Sequence, residues 1–199
     1  MMPPPDGTVL PFTASRLLRE ATASQHEAVE RLPTMRALMS GTLSLCDYAQ
    51  LLRRHHAVLA GWEQREAAWL RDCGDARWRY QPRIPLLVQD LLALQVPPPA
   101  LLPAPPAHAA GSGWGMLYVV EGSRLGGRVI ARQLRARLAE SASALRYFEL
   151  GNADPDAWRH FQQRLEQALT TPARRQAAID GARTMFAHFH THLALETAA

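Results

Sequence analysis

Apolar residues recur at helical intervals along most of this chain, and no stretch alternates apolar and polar with the two-residue period of a half-buried strand. From Thr13 to about Leu32 the apolar positions Leu17, Leu18, Ala21, Val29 and Leu32 share a helical spacing, with Thr13 as N-cap and Pro33 as stop. A short helix is expected over 34–40, ended by Gly41, and a long one after Ser44, through Tyr48, Leu52, Leu59, Trp62 and Trp69 to Gly74. Residues 75–85 read as a loop and 86–95 as helix. Pro97-Pro98-Pro99, Pro103 and Pro105-Pro106 then forbid a helix over about 17 residues. The helical pattern returns from about Trp114 to Glu140. Residues 141–153 read as a Ser-rich, Gly-containing break. A helix from Asp154 or Asp156 to Leu169 follows, and Thr171-Pro172 starts a last one ending near Leu195. The pattern predicts an all-α single domain of six to eight helices over 13–195, preceded by a loosely packed Pro-rich tail over 1–12.

Composition narrows the class. With 199 residues, 47% hydrophobic and 20% charged, the chain suits one globular domain and is neither disordered nor membrane-spanning. No apolar run approaches the roughly 18 residues of a transmembrane helix, and the N-terminus lacks the basic start and apolar core of a signal peptide. Cys46 and Cys73 give no metal spacing and no disulfide framework, so a cytoplasmic protein with reduced thiols is expected. All 22 basic residues are arginine and the net charge is +4. Arginine suits carboxylate and phosphate ligands. The arginines are scattered, however, and form no nucleic-acid arm.

The most informative segment runs from Met116 to Ile130. Its flanks are strongly helical, yet Gly122, Gly126 and Gly127 fall within six residues. Each glycine costs about 0.8–1 kcal/mol relative to alanine inside a helix. Gly122 and Gly126 share a face, with Ser123 and Gly127 in the adjacent row. Such a strip admits either a flat ligand or another helix backbone. A phosphate loop fits worse, because no strand precedes the glycines and no Gly-Lys-Ser/Thr follows.

His26 follows Leu18 and Thr22 by eight and four, which places the imidazole on the inward face of the first helix. Arg19 lies seven residues earlier, about 20° around the helix and about 10.5 Å along it. A metal on His26 and carboxylates on Arg19 would span porphyrin dimensions, and neutral imidazole is a standard iron ligand. His55 and His56 are adjacent and do not share a face. His188 and His192 have i,i+4 spacing that can bind a metal, with no inward carboxylate evident beside them. Ser123 has no His/Asp partner nearby and no Gly-x-Ser-x-Gly elbow.

Leu18-Arg19-Glu20-Ala21-Thr22-Ala23-Ser24-Gln25-His26-Glu27-Ala28-Val29-Glu30 resembles the proximal helix of bacterial heme oxygenases. Tyr118-Val119-Val120-Glu121-Gly122-Ser123-Arg124-Leu125-Gly126-Gly127-Arg128 resembles their distal helix, most closely in the biliverdin-forming branch associated with bacteriophytochromes. Order and separation of the motifs agree over nearly the whole chain. The resemblance implies the family fold, with heme sandwiched between the two helices. It makes His26 the proximal ligand to heme iron and gives Gly122, Gly126 and Gly127 the task of laying the distal backbone across the heme. Ser123 would stand where the mammalian enzymes have an aspartate and would organise distal water. Arg19 and Tyr118 would hold propionates, and Phe189 would border the pocket.

Heme b would then be substrate and cofactor at once. The ring would be opened at a meso carbon by oxygen and electrons to give biliverdin, carbon monoxide and ferrous iron. No flavin or nicotinamide fingerprint is present, so a ferredoxin or reductase is an expected partner and a bacteriophytochrome an expected recipient of biliverdin. Two rivals share these features. A heme carrier without turnover would use the same binding residues. A non-heme di-iron oxidase would need several inward carboxylates and histidines, for which Glu27, Glu30, Glu121 and His188 are the candidates.

Overall fold

Residues 13–100, 102–105, 111–137 and 143–194 are described by a computed structural model, and they form nine helices and no strand. The tail read over 1–12 lies outside the described residues. The helices are α1 (Thr13–Ala21), α2 (Ala23–Glu30), α3 (Pro33–Met39), α4 (Leu45–Asp72), α5 (Ile84–Ala93), α6 (Ser112–Arg137), α7 (Arg146–Ala153), α8 (Ala157–Ala168) and α9 (Pro172–Leu193).

Local chemistry sets most of the boundaries. The Ser44 side chain caps α4 by accepting from Asp47 N–H at 3.0 Å. Thr171 does the same for α9 through Arg174 N–H at 3.2 Å, with Pro172 in the first turn. Gly41 follows α3 with φ of 67°. The proline-rich stretch is non-helical where described, and it lies against α4, where the Arg65 side chain donates to Pro105 C=O.

Two expectations need correction. The first predicted helix is two, α1 and α2, because Thr22 leaves helical geometry (φ −122°, ψ 11°) and its hydroxyl turns back onto Leu18 C=O at 2.7 Å. The predicted break over 141–153 contains α7. Gly151 and Asn152 lower its intrinsic propensity, but a tertiary cap overrides them: the buried Asp90 carboxylate of α5 accepts from Arg146 N–H (3.0 Å) and Tyr147 N–H (2.9 Å) at the start of α7.

The core is built on α4, whose Tyr48, Leu51, Leu52, Leu59 and Trp62 are fully buried. α6 and α9 pack most closely of all. Glycine makes this possible: a Cβ at Gly115 would collide with the backbone of Ala178 and Ala182, and one at Gly181 with that of Ser112. Gly111, just before α6, meets Arg174 and Ala177 at the start of α9, so the two helices run in the same chain direction. Continuing that register puts the Met185–Phe189 turn of α9 alongside the glycine-rich stretch of α6. α2 also packs on α9, and α1 packs on α8 and α9.

Candidate active site

Tyr118, Gly122, Leu125, Gly126 and Val129 fall on one face of α6. That face is open. A Cβ at Gly126 would meet nothing within 4 Å, and one at Gly122 only the Trp158 ring at 3.8 Å. Leu125 and Val129 are 44% and 42% exposed, unusual for large aliphatic side chains in a well-packed helix. Gly127 does not belong to this face. It is buried, and its Cβ would come within 2.9 Å of Phe148 C=O on α7. A residue advances about 100° around a helix, so the predicted strip divides: Gly122 and Gly126 look outward, and Gly127 is a helix-packing residue.

Ser123 lies beside the open face. Its Oγ donates to Val120 C=O at 2.8 Å, and the Tyr147 phenol reaches the same hydroxyl. Burial pushes the Tyr147 hydroxyl up to about 12, so the phenol stays protonated. Tyr118 is half-buried beside Trp158, with ring centroids 5.7 Å apart. Desolvation raises its pKa and the Arg19 charge partly opposes this, which brings α1 and α6 residues within electrostatic reach.

His26 is not inward-facing as the spacing predicts. Its side chain is 59% exposed, and no residue of α2 is buried. The break at Thr22 is the reason: the buried row of Leu18 on α1 and Thr22 at its end is not continued into α2, because Thr22 leaves helical geometry. The imidazole lies edge-on to Phe186 of α9, with centroids 5.9 Å apart and planes at 83°. Nδ1 is 3.4 Å from Glu30 Oε2, and Nε2 has no hydrogen-bond partner among the described residues. Phe189, the aromatic expected at the pocket, is buried against His55 at 5.9 Å, one turn beyond Phe186.

His55, His188 and His192 pack against other rings. His55 is caged by Tyr147, Phe148 and Phe189, its Nδ1 2.9 Å from Leu51 C=O, and desolvation pushes its pKa down to about 4. His188 and His192 meet edge-on at 4.7 Å. Among the described residues no group of three or more His, Cys, Asp or Glu is placed to hold a metal ion.

Residues 88–194 match the family model described as heme oxygenase. The chain is 52% identical over 162 residues to a heme oxygenase of Xanthomonas campestris pv. campestris (strain 8004), covering 81% of this chain and 98% of that one. The chain belongs to the heme oxygenase family. Among solved structures, the heme oxygenase from Neisseria meningitidis with NO and CO bound superposes with a TM-score of 0.71 at 24% identity, covering 94% and 95% of the two chains. The heme oxygenase from Leptospira interrogans gives 0.64 at 16%, covering 92% and 98%. At these identities the two structures establish the shared all-helical fold.

The residues present fit a heme of this family. The flat, solvent-facing apolar surface of Gly122, Leu125, Gly126 and Val129 matches a porphyrin face, and it is otherwise unexplained in a folded helix. Nε2 of His26 is open to a metal, and Nδ1 has a carboxylate beside it, the arrangement that fixes a ligand tautomer. Arg19 and Tyr118 offer a cation and a hydroxyl to carboxylates.

Sequence reasoning missed what lies behind the strip. Glu121, weighed above as a di-iron ligand, is 1% exposed and bound on both sides, by Arg83 and by Arg124 at 3.2 Å. Arg124 and Arg128 in turn donate to the α7 carbonyls of Leu150 (3.2 Å) and Gly151 (2.6 Å). Arg83 precedes Glu121 by 38 residues, and no local pattern links them. A separate groove beside α4, lined by Ala67, Leu70, Tyr80 and Ile84, holds one inward carboxylate, Glu63, which is occupied by Tyr80 O–H and Arg83 N–H.

Proposed function

We propose that this chain opens heme at a meso carbon, using oxygen and external electrons, to release biliverdin, carbon monoxide and ferrous iron. When bound, heme supplies both the iron that activates oxygen and the ring that is attacked. His26 holds the iron through Nε2, and Glu30 keeps the Nδ1 proton in place. Arg19 and Tyr118 orient the propionates. Gly122 and Gly126 let the α6 backbone approach the ring without a side chain between them. Ser123, held by Val120 C=O and Tyr147, keeps an ordered water where a proton is needed. This face of α6 carries no His, Met or Cys side chain, so it would bring no competing metal ligand to a bound heme.

The observation that carries this reading is the exposed strip itself. Gly126 faces empty space between two exposed aliphatic residues, which a protein has no packing reason to maintain. Electrons come from a ferredoxin or a reductase, and a bacteriophytochrome is the receiver of biliverdin. No helix among the described residues is long and apolar enough to cross a membrane, which supports a cytoplasmic site of action.

Purified protein is mixed with hemin, then given an electron donor in air with catalase present. The Soret band is expected to decay while biliverdin absorbance grows in the red, and the reduced complex is expected to bind carbon monoxide. A heme complex that survives these conditions identifies a carrier and overturns the proposal.

A further inference from the structure

We infer that Arg183 of α9 is a positioning residue for His26, acting through the joint between α1 and α2; the inference rests on the proposed role of His26 as heme ligand. The backbone ladder is interrupted at this joint. Thr22 N–H bonds to Leu18 C=O and His26 N–H to Thr22 C=O, both at 3.0 Å, but Gln25 N–H does not reach Ala21 C=O, and Thr22 drops out of the helix. The Ala21 carbonyl is taken instead by the Arg183 guanidinium, with Nη2 at 3.2 Å and Nε at 3.3 Å.

A single carbonyl gripped by two donors of a planar fork is fixed in direction as well as in distance. The grip occurs between Arg19 and His26, the two residues whose relative placement the site depends on. It comes from the same helix that carries Phe186, which lies less than one turn further along and meets the His26 ring. α9 therefore holds the proximal segment at two points, the joint and the imidazole. No residue of α2 is fully buried, and apart from these two points its apolar anchor is the partly buried Val29. Losing the guanidinium frees Ala21 C=O to accept Gln25 N–H. α1 and α2 can then fuse into the continuous helix that the sequence pattern predicts, turning His26 away from its present direction.

Three measurements test this. In the heme-free protein, amide hydrogen exchange over 23–27 is expected to change in Arg183→Ala and to be restored at most in part in Arg183→Lys, whose ammonium keeps the charge but lacks the planar fork. Unchanged exchange in Arg183→Ala overturns the inference. In the ferrous heme complex, Arg183→Ala is expected to shift the iron–histidine stretching band in resonance Raman and to weaken heme binding on the order of tenfold. The band shift must persist with heme dimethyl ester, which has no free carboxylates. A shift that disappears with the ester makes Arg183 a propionate ligand and overturns the positioning role. A wild-type complex without any iron–histidine band defeats the reading of His26 as ligand, while the exchange result in heme-free protein still decides whether Arg183 sets the joint.

Discussion

The helix that carries the bare strip, α6, is fixed from behind by buried charge and close backbone contacts, whereas α2, which carries His26, has no buried residue. Glu121 binds two arginines out of solvent, Gly115 and Gly127 let α9 and α7 approach to backbone distance, and Arg124 and Arg128 tie α6 to the end of α7. α2 is held by the partly buried Val29, the His26–Phe186 ring contact, two exposed ion pairs (His26–Glu30 and Arg31–Glu27) and the Arg183 grip at its start. Local opening is easiest where few apolar groups are buried. One wall of the site is thus a rigid surface, and the other is free to adjust as a ligand enters. A substitution behind α6 should cost stability first, and one on α2 should cost function while sparing the fold.

The sharpest break of that comparison is at His26 itself. His26→Ala is expected to abolish biliverdin formation and change the heme spectrum, with partial rescue by added imidazole. The unfolding midpoint of the heme-free protein should barely move, because the ring is exposed and touches only Phe186 and Glu30. A heme spectrum indistinguishable from wild type would remove His26 from the site.

The two kinds of glycine on α6 separate next. Gly126→Leu should fold, and should even gain about 0.8–1 kcal/mol from helix propensity, while losing turnover because the side chain fills the ring's place. Gly127→Leu should be strongly destabilised, since the added Cβ would come within 2.9 Å of Phe148 C=O before the rest of the side chain is placed. Thermal melts and single-turnover assays on the pair check this. Biliverdin formation at the wild-type rate by Gly126→Leu would make the open face irrelevant to catalysis.

Arg83→Met probes the rigid wall alone. Removing one partner of a buried ion pair typically costs about 3–5 kcal/mol. Here Glu121 would keep only Arg124, and Tyr80 would lose the cation over its ring at 5.0 Å. Urea unfolding should show the loss. A change below about 1 kcal/mol would mean that α6 is held by its glycine contacts rather than by charge.

His55 adds a pH dependence on the same side. Its pKa is pushed from 6.5 to about 4 by burial, so the folded state holds the imidazole neutral. Between those values the unfolded chain binds a proton that the folded chain refuses, and stability falls as pH drops below 6.5. The full loss near pH 4 is about 3 kcal/mol. Unfolding at pH 7.5 and pH 5 should differ in wild type, and the difference should shrink in His55→Gln. An equal difference in both proteins would assign the acid sensitivity to other groups.

The contrast between the walls also explains what could be read from the sequence. Helix positions follow from apolar spacing and from Ser44, Thr171 and the prolines, because these are local signals. Gly122, Gly126 and Ser123 stand out because glycine inside a strong helix is anomalous whatever surrounds it. What the sequence concealed is tertiary. The Arg83–Glu121 pair joins residues far apart in the chain, α7 needs a cap from Asp90 on another helix, and the Ala21 carbonyl beside the turn at Thr22 takes its donors from Arg183 on α9. His26 was legible as a residue and misread in direction, since a single unbroken helix would have carried it inward. Phe186 could have been found: it lies less than one turn before Phe189 on the same helix.

The smallest expected effect is at Glu30. The pair with His26 is an i,i+4 contact at 3.4 Å, both side chains 59% exposed, and it is an ion pair only when the imidazole is protonated. Exposed pairs of this kind contribute about 0.3–0.5 kcal/mol, and less with a neutral partner. Glu30→Gln should therefore leave the unfolding midpoint of the heme-free protein almost unchanged. Its effect should emerge only with heme. A carboxylate on Nδ1–H fixes the tautomer that frees Nε2 and makes the ring a better donor, and loss of such a partner costs on the order of 10–100-fold in affinity or activity. An amide can still accept that proton, but carries no charge to strengthen the donor, so the expected loss lies at the lower end of that range, with a lowered iron–histidine stretching frequency. The two α2 variants then differ in kind: His26→Ala removes the ligand, and Glu30→Gln leaves it in place but weaker. If Glu30→Gln lowered stability as much as Arg83→Met, α2 would be carrying structural load, and the picture of one rigid and one adjustable wall would be wrong.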